Sequence, residues 1–133
     1  MRYAILIYDT ETANPSPEQP PAEVMAAVMD EWNAYTRMLR DRGAFLAGEA
    51  LRPVQTATTV REQDGRTVTT DGPFAETKEA LGGFYLVEAR DLDEALELAG
   101  ACPGVRSGSI EVRPVMEFPA GTAEHATAGS AQA

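Results

Sequence analysis

The 133-residue chain has one cysteine and one histidine, and each scarcity excludes chemistry. With Cys102 alone no intrachain disulfide can form, and nothing calls for an oxidising compartment, so the expected setting is the cytoplasm. Cys102 precedes Pro103-Gly104 at the end of an expected helix, where a small buried hydrophobe is the simpler reading and a reactive thiol the alternative. The histidine, His125, falls in a tail of small residues. A nucleophile-histidine triad therefore lacks an ordered base, and no Cys/His cluster has metal-ligand spacing. Positive charge is also short: 11 Lys and Arg against 21 Asp and Glu leave a net charge of −10. That balance opposes binding to nucleic-acid phosphates or to anionic lipid. No apolar run reaches the roughly 18 residues of a membrane span, and Met1-Arg2 leads into a strand without a signal-peptide pattern. Gly82-Gly83 precedes a strand rather than a helix, so it is no phosphate cradle. Carboxylates could hold a hard cation, but no calcium-loop pattern is present. No metal and no cofactor is expected.

What is present suits one domain. The apolar fraction of 44% is ordinary for a single core. Tyr3 to Tyr8 is a short apolar run of β-formers, the first core strand. Thr10 to Pro21 holds four prolines and reads as a loop. From Ala22 to Arg42 a helix is expected, with Val24, Val28, Trp32, Tyr35 and Leu39 along one face to pack on the sheet, and Gly43 to end it. Trp32 and Tyr35 suit the core better than a pocket wall. Ala44 to Leu51 resumes as a strand in which Gly48 marks a bulge or a close approach. Glu49 and Arg52 follow it, on opposite faces if the strand is regular.

Thr56 to Glu62 and Thr67 to Thr70 flank Asp64-Gly65, a hairpin signal because both central turn positions tolerate positive φ. Phe84 to Ala89 is a second core strand, opened by Gly82-Gly83. A helix over Leu92 to Ala101, with Asp91 as its cap, presents Leu92, Ala95, Leu96 and Ala99 as its apolar face. Gly108 to Met116 alternates as a last strand, and Pro114 pushes it towards an edge or a strand end. The expected domain covers residues 1–117, followed by a disordered tail over 118–133. The order is β-α-β, a hairpin, then β-α-β. Two such halves forming one antiparallel sheet with both helices on one face give a ferredoxin-like α+β fold, whose other face needs cover that a second subunit can supply.

Between the hairpin and the second core strand lies Asp71-Gly72-Pro73-Phe74-Ala75-Glu76-Thr77-Lys78-Glu79, which gathers carboxylates, an aromatic and an ammonium in a loop held by Gly72 and Pro73. Local structure alone explains Asp71 if its carboxylate closes an Asx turn. The chemical reading makes it a general base.

This stretch, with Gly48-Glu49-Ala50-Leu51-Arg52-Pro53 upstream and Gly108-Ser109-Ile110-Glu111-Val112-Arg113-Pro114 downstream, resembles the Asp-Gly-Pro-Phe (DGPF) branch of the YCII-related family. The resemblance runs from about Met1 to Met116. It implies a ferredoxin-like fold of the dimeric α+β barrel type, a homodimer formed through the sheets, and a ligand-sized cleft. Members of the family are often encoded near extracytoplasmic-function sigma factors, which implies a sigma-factor pathway partner. Other YCII-like proteins are proposed to use a histidine and aspartate pair, the histidine near the first helix. That helix here contains no histidine, so only the aspartate, at Asp71, carries over.

Two readings of function result. The first is a cofactor-independent lyase, isomerase or hydrolase of a small molecule, with Asp71 and Glu76 as the acid/base pair. Glu49, Arg52, Phe74, Lys78 and Tyr85 then bind substrate: Arg52 or Lys78 holds an anion, and Phe74 or Tyr85 buries a carboxylate and raises its pKa. The second is a non-catalytic ligand-binding or protein-interaction module in a regulatory pathway, in which the loop shapes a cleft or contact surface.

Overall fold

The computed structural model describes residues 1–10 and 21–119. The proline-rich loop over 11–20, most of the expected tail, and His125 lie outside the described residues. Strand β1 (Arg2–Asp9) is followed by helix α1 (Ala22–Asp41) and strand β2 (Phe45–Ala50). A 3-10 turn (Val54–Thr56) leads into the hairpin of β3 (Thr58–Gln63) and β4 (Arg66–Asp71). Strand β5 (Ala80–Glu88), helix α2 (Leu92–Gly100), a second 3-10 turn (Pro103–Val105) and strand β6 (Gly108–Pro114) complete the order.

The main sheet runs β2-β5-β1-β6 with every neighbour antiparallel, and β3-β4 form a separate two-stranded ribbon. Two β-α-β units interleaved in this strand order make the α+β, ferredoxin-like arrangement expected. The register places Tyr3, Ile5 and Val87 on one face, and there they join Tyr35 and Leu39 of α1 and Ala95, Leu98 and Ala99 of α2 in one core. Both helices thus cover the same face. They are tied together by the Tyr35 hydroxyl, which donates to the Leu98 carbonyl at 2.8 Å. Cys102 is buried beside them, as expected of a small hydrophobe.

The helical patterns hold, but burial corrects the faces read from them. Along α1, Tyr35 and Leu39 are buried while Val24 and Val28 are 50% and 41% exposed. The amphipathic stripe continues beyond the part that is covered, because packing against the core starts only at the partly buried Trp32. Along α2 the buried face is Ala95, Leu98 and Ala99, and Leu92 and Leu96 point outward. Asp91 caps this helix as expected, accepting from the Glu94 N–H at 2.9 Å.

Strand details also shift. Gly82 and Gly83 lie inside β5, since Gly83 pairs with both Ile7 and Ala50 and the Leu51 N–H donates to the Gly82 carbonyl. The irregularity in β2 falls between Phe45 and Ala47, two residues before Gly48's own role begins. A Cβ at Gly48 would stand 2.7 Å from the Tyr85 ring, so this position is a close approach rather than the bulge. Thr56 belongs to the 3-10 turn, and the hairpin strands start at Thr58. Its turn forms as expected, with φ of 52° at Asp64 and 75° at Gly65. Strand β6 is an edge and Pro114 is its last residue.

Candidate functional site

Strand β4 delivers Asp71 to the loop and β5 takes the chain away at Ala80. Between them Gly72 adopts φ +90°, a conformation that suits glycine and reverses the chain immediately after the ribbon. Backbone and side-chain hydrogen bonds then hold the loop's course. The Gly72 N–H donates to the Ala57 carbonyl at 2.7 Å, and the Thr59 hydroxyl donates to the Gly72 carbonyl at 2.8 Å. Arg61 Nη2 donates to the Phe74 carbonyl at 3.4 Å, and the Thr77 hydroxyl donates to the Glu79 carbonyl. At the far end Ser109 Oγ donates to Glu79 Oε1 at 3.1 Å, which anchors the loop to β6.

Two open clefts of about 430 Å³ each flank this loop, with Pro73 common to both. The first brings Asp71 and Glu76 together, with Gln55 and Thr77 on its walls. Both carboxylates are exposed. Among the described residues the Asp71 side chain makes no hydrogen bond or ion pair, so the Asx turn that would account for it is not formed. The second cleft lies on the ribbon side and is lined by Arg61, Val68, Thr70 and Phe74.

The remaining candidate residues scatter. Phe74, 75% exposed, faces the ribbon cleft rather than the Asp71 cleft. Lys78 is exposed on the loop and Arg52 is exposed after β2, and neither is among the residues lining these two clefts. Glu49 stands opposite Phe84 on the uncovered face of the sheet. Tyr85 lies on the helix side, where its hydroxyl shares a 2.7 Å hydrogen bond with Thr36 and its ring packs edge-on against Tyr35 and Phe45. Neither aromatic therefore buries the Asp71 carboxylate. Two groups in the helix-side core have displaced protonation equilibria. Burial pushes the Tyr35 phenol up, with Cys102 and Tyr85 adding to it, and burial likewise raises the Cys102 thiol. Among the described residues no three His, Cys, Asp or Glu side chains gather closely enough to hold a metal ion. No helix of the described chain is long and apolar enough to cross a membrane.

Arg61 and Thr70 escaped the sequence reading because the hairpin gave only a turn signal. Both are exposed, as are their neighbours in sequence, so no alternation in burial marked them; only the shared parity of Thr59 with Arg61 and of Val68 with Thr70 hinted at a common face.

The chain is similar to known proteins over most of its length. The YCII-related domain model matches residues 1–119. The uncharacterized protein R00369 of Rhizobium meliloti (strain 1021) is 38% identical over 125 residues, which cover 91% of this chain and 97% of that protein. Among solved structures, 5-chloro-2-hydroxyhydroquinone dehydrochlorinase (TftG) from Burkholderia phenoliruptrix AC1100, in complex with 2,5-dihydroxybenzoquinone, aligns with a TM-score of 0.46. Sequence identity there is 16%, over 89% of this chain and 96% of that one, too distant for its chemistry to be transferred.

Proposed function

The chain belongs to the YCII-related domain family, and on that premise we propose that it is a cofactor-independent small-molecule enzyme with its acid/base pair in the Asp71–Glu76 cleft. One observation carries this reading: the two carboxylates singled out in the sequence line the same cleft. Asp71, free of local hydrogen bonds, is the group to accept a proton from the substrate, and Glu76 is the group to return one. Lys78, two residues beyond Glu76, and Arg52, just before the turn whose Val54 lines the cleft, are the cations to hold an anionic substrate or a developing negative charge. Lyase, isomerase and hydrolase chemistry all fit this set.

The enzyme works as a homodimer in this reading, in the cytoplasm. Ala4 pairs with Leu86 and Leu6 with Phe84 on the face opposite the helices, and these four are only half-buried in the single chain. Covering such a stripe with its own copy removes apolar surface from water. No observation favours the regulatory-module reading, with its sigma-factor partner, over the enzymatic one.

Turnover measured across a metabolite library, with sedimentation velocity alongside, tests both parts. Asp71→Asn is expected to lose about 10²- to 10⁴-fold in rate and to remain dimeric, whereas Phe84→Glu is expected to sediment as a monomer. Unchanged turnover in Asp71→Asn rules that residue out as the base, and a wild-type monomer rules out the sheet-to-sheet dimer.

A further inference from the structure

The ribbon-side cleft has no part in the acid/base reading, and its chemistry is different. Its floor is one face of the β3-β4 ribbon, where the register pairs Arg61 with Val68 and Thr59 with Thr70. Directly paired residues share a face and alternate residues return to it, so a guanidinium, a valine and two threonines lie together. Pro73 and Phe74 rise beside them. Phe74 is the most exposed large hydrophobic of the described residues, at 75%, and leaving a whole phenyl ring in water is unfavourable unless something covers it.

Arg61 holds the loop in that position through the Phe74 carbonyl. It forms no ion pair among the described residues, so most of its five N–H donors remain uncommitted. Beyond their mutual pairing β3 and β4 make only slight contact with other elements. A two-stranded ribbon in that position is marginal by itself in water, and a ligand bridging its face to the loop would brace it.

These groups select a ligand. A flat ring covers Phe74 and Pro73, a carboxylate meets the guanidinium in its fork geometry, and the Thr70 hydroxyl supplies a further hydrogen bond. The Thr59 hydroxyl proton is already given to Gly72, so that oxygen can only accept. Glu62 at the margin opposes a second negative charge. We propose that the ribbon-side cleft is a binding site for a small aromatic monocarboxylate, distinct from the Asp71–Glu76 cleft. A volume of about 430 Å³ accommodates one substituted ring.

Nitrogen–proton correlation spectra of the full chain titrated with sodium benzoate test this. Saturable shifts are expected at Thr59, Arg61, Thr70 and Phe74. Arg61→Gln should bind benzoate about tenfold more weakly, and benzamide, which keeps the ring and loses the charge, should bind the wild type more weakly by a similar factor. Phe74→Ala should lose affinity that Phe74→Trp retains, and Asp71→Asn should bind benzoate no more weakly than the wild type. The proposal is overturned if no saturation is reached by about 10 mM benzoate, or if Arg61→Gln binds as the wild type does. Loss of binding in Asp71→Asn would merge the two clefts into one site. Shifts at these residues that follow protein concentration instead of benzoate would assign the patch to contact with a second copy.

Discussion

On the helix side of the sheet Tyr3, Ile5, Leu39, Val87 and Leu98 are at most 2% exposed, and the hydroxyls of Tyr35 and Tyr85 both have partners. At the loop between β4 and β5, Asp71, Phe74, Glu76 and Lys78 are all exposed. The first region owes its shape to its side chains. The second owes its shape to bonds that mostly end on backbone atoms: Gly72 to Ala57, Thr59 to Gly72, Arg61 to Phe74, Thr77 to Glu79. A loop held in this way can change the side chains it displays without losing its course, which is what a site needs of its scaffold.

The largest effect should separate the two regions outright. Leu39→Ala or Leu98→Ala is expected to cost about 2–5 kcal/mol in urea unfolding, whereas Phe74→Ala should stay within about 0.5 kcal/mol. A Phe74→Ala cost comparable to the leucines would make the loop part of the core.

Two glycines sharpen the contrast with a smaller effect. A Cβ at Gly48 meets the Tyr85 ring at 2.7 and 2.9 Å, and that ring is pinned by Thr36, Tyr35 and Phe45. Gly48→Ala should therefore cost about 1–3 kcal/mol by overpacking, most of it recovered when Tyr85 is shortened to Leu. Gly72→Ala meets nothing within 4 Å but must hold φ +90°. Its cost, about 1–2 kcal/mol from backbone strain, should not respond to any neighbouring substitution. Thermal unfolding of the single and double variants distinguishes the two causes.

A third effect is read from pH. Tyr35 is buried with its hydroxyl on Leu98, and burial raises its pKa. The unfolded chain ionises this phenol near its ordinary value of about 10, while the folded chain keeps the proton to higher pH. The stability this contributes is full below about pH 10 and is lost as pH rises past it. Tyr35→Phe should be less stable at neutral pH by about 1–3 kcal/mol, because the buried Leu98 carbonyl loses its donor, and its stability should fall less steeply above pH 10.

The elements were legible because each has a strong local cause: the apolar run of β1, the 3.6-residue stripe of α1, Asp64-Gly65 between threonine-rich strands, and Asp91 before α2. What covers each face was not. The stripe of α1 extends through Val24 and Val28, yet periodicity gives a direction and not a partner, and these two residues remain exposed. The loop between β4 and β5 was anticipated, and Asp71 and Glu76 both line one cleft beside it. Phe74 was grouped with them because it is three residues from Asp71, but a turn at Gly72 and Pro73 sends neighbours in sequence to opposite sides. Tyr85 shared that fate for another reason: it has the parity of Val87, which faces the helices.

The most direct test of the central claim is a thermal-shift screen of the wild type, Asp71→Asn and Glu76→Gln against a broad metabolite library. A ligand that binds only the folded state raises its melting temperature, the stabilisation growing as the logarithm of one plus the ratio of free ligand to Kd. The acid/base cleft predicts a ligand class that stabilises the wild type, loses that stabilisation in both variants, and is turned over by the wild type alone. A class that stabilises all three proteins equally, or is consumed as fast by Asp71→Asn, would contradict it.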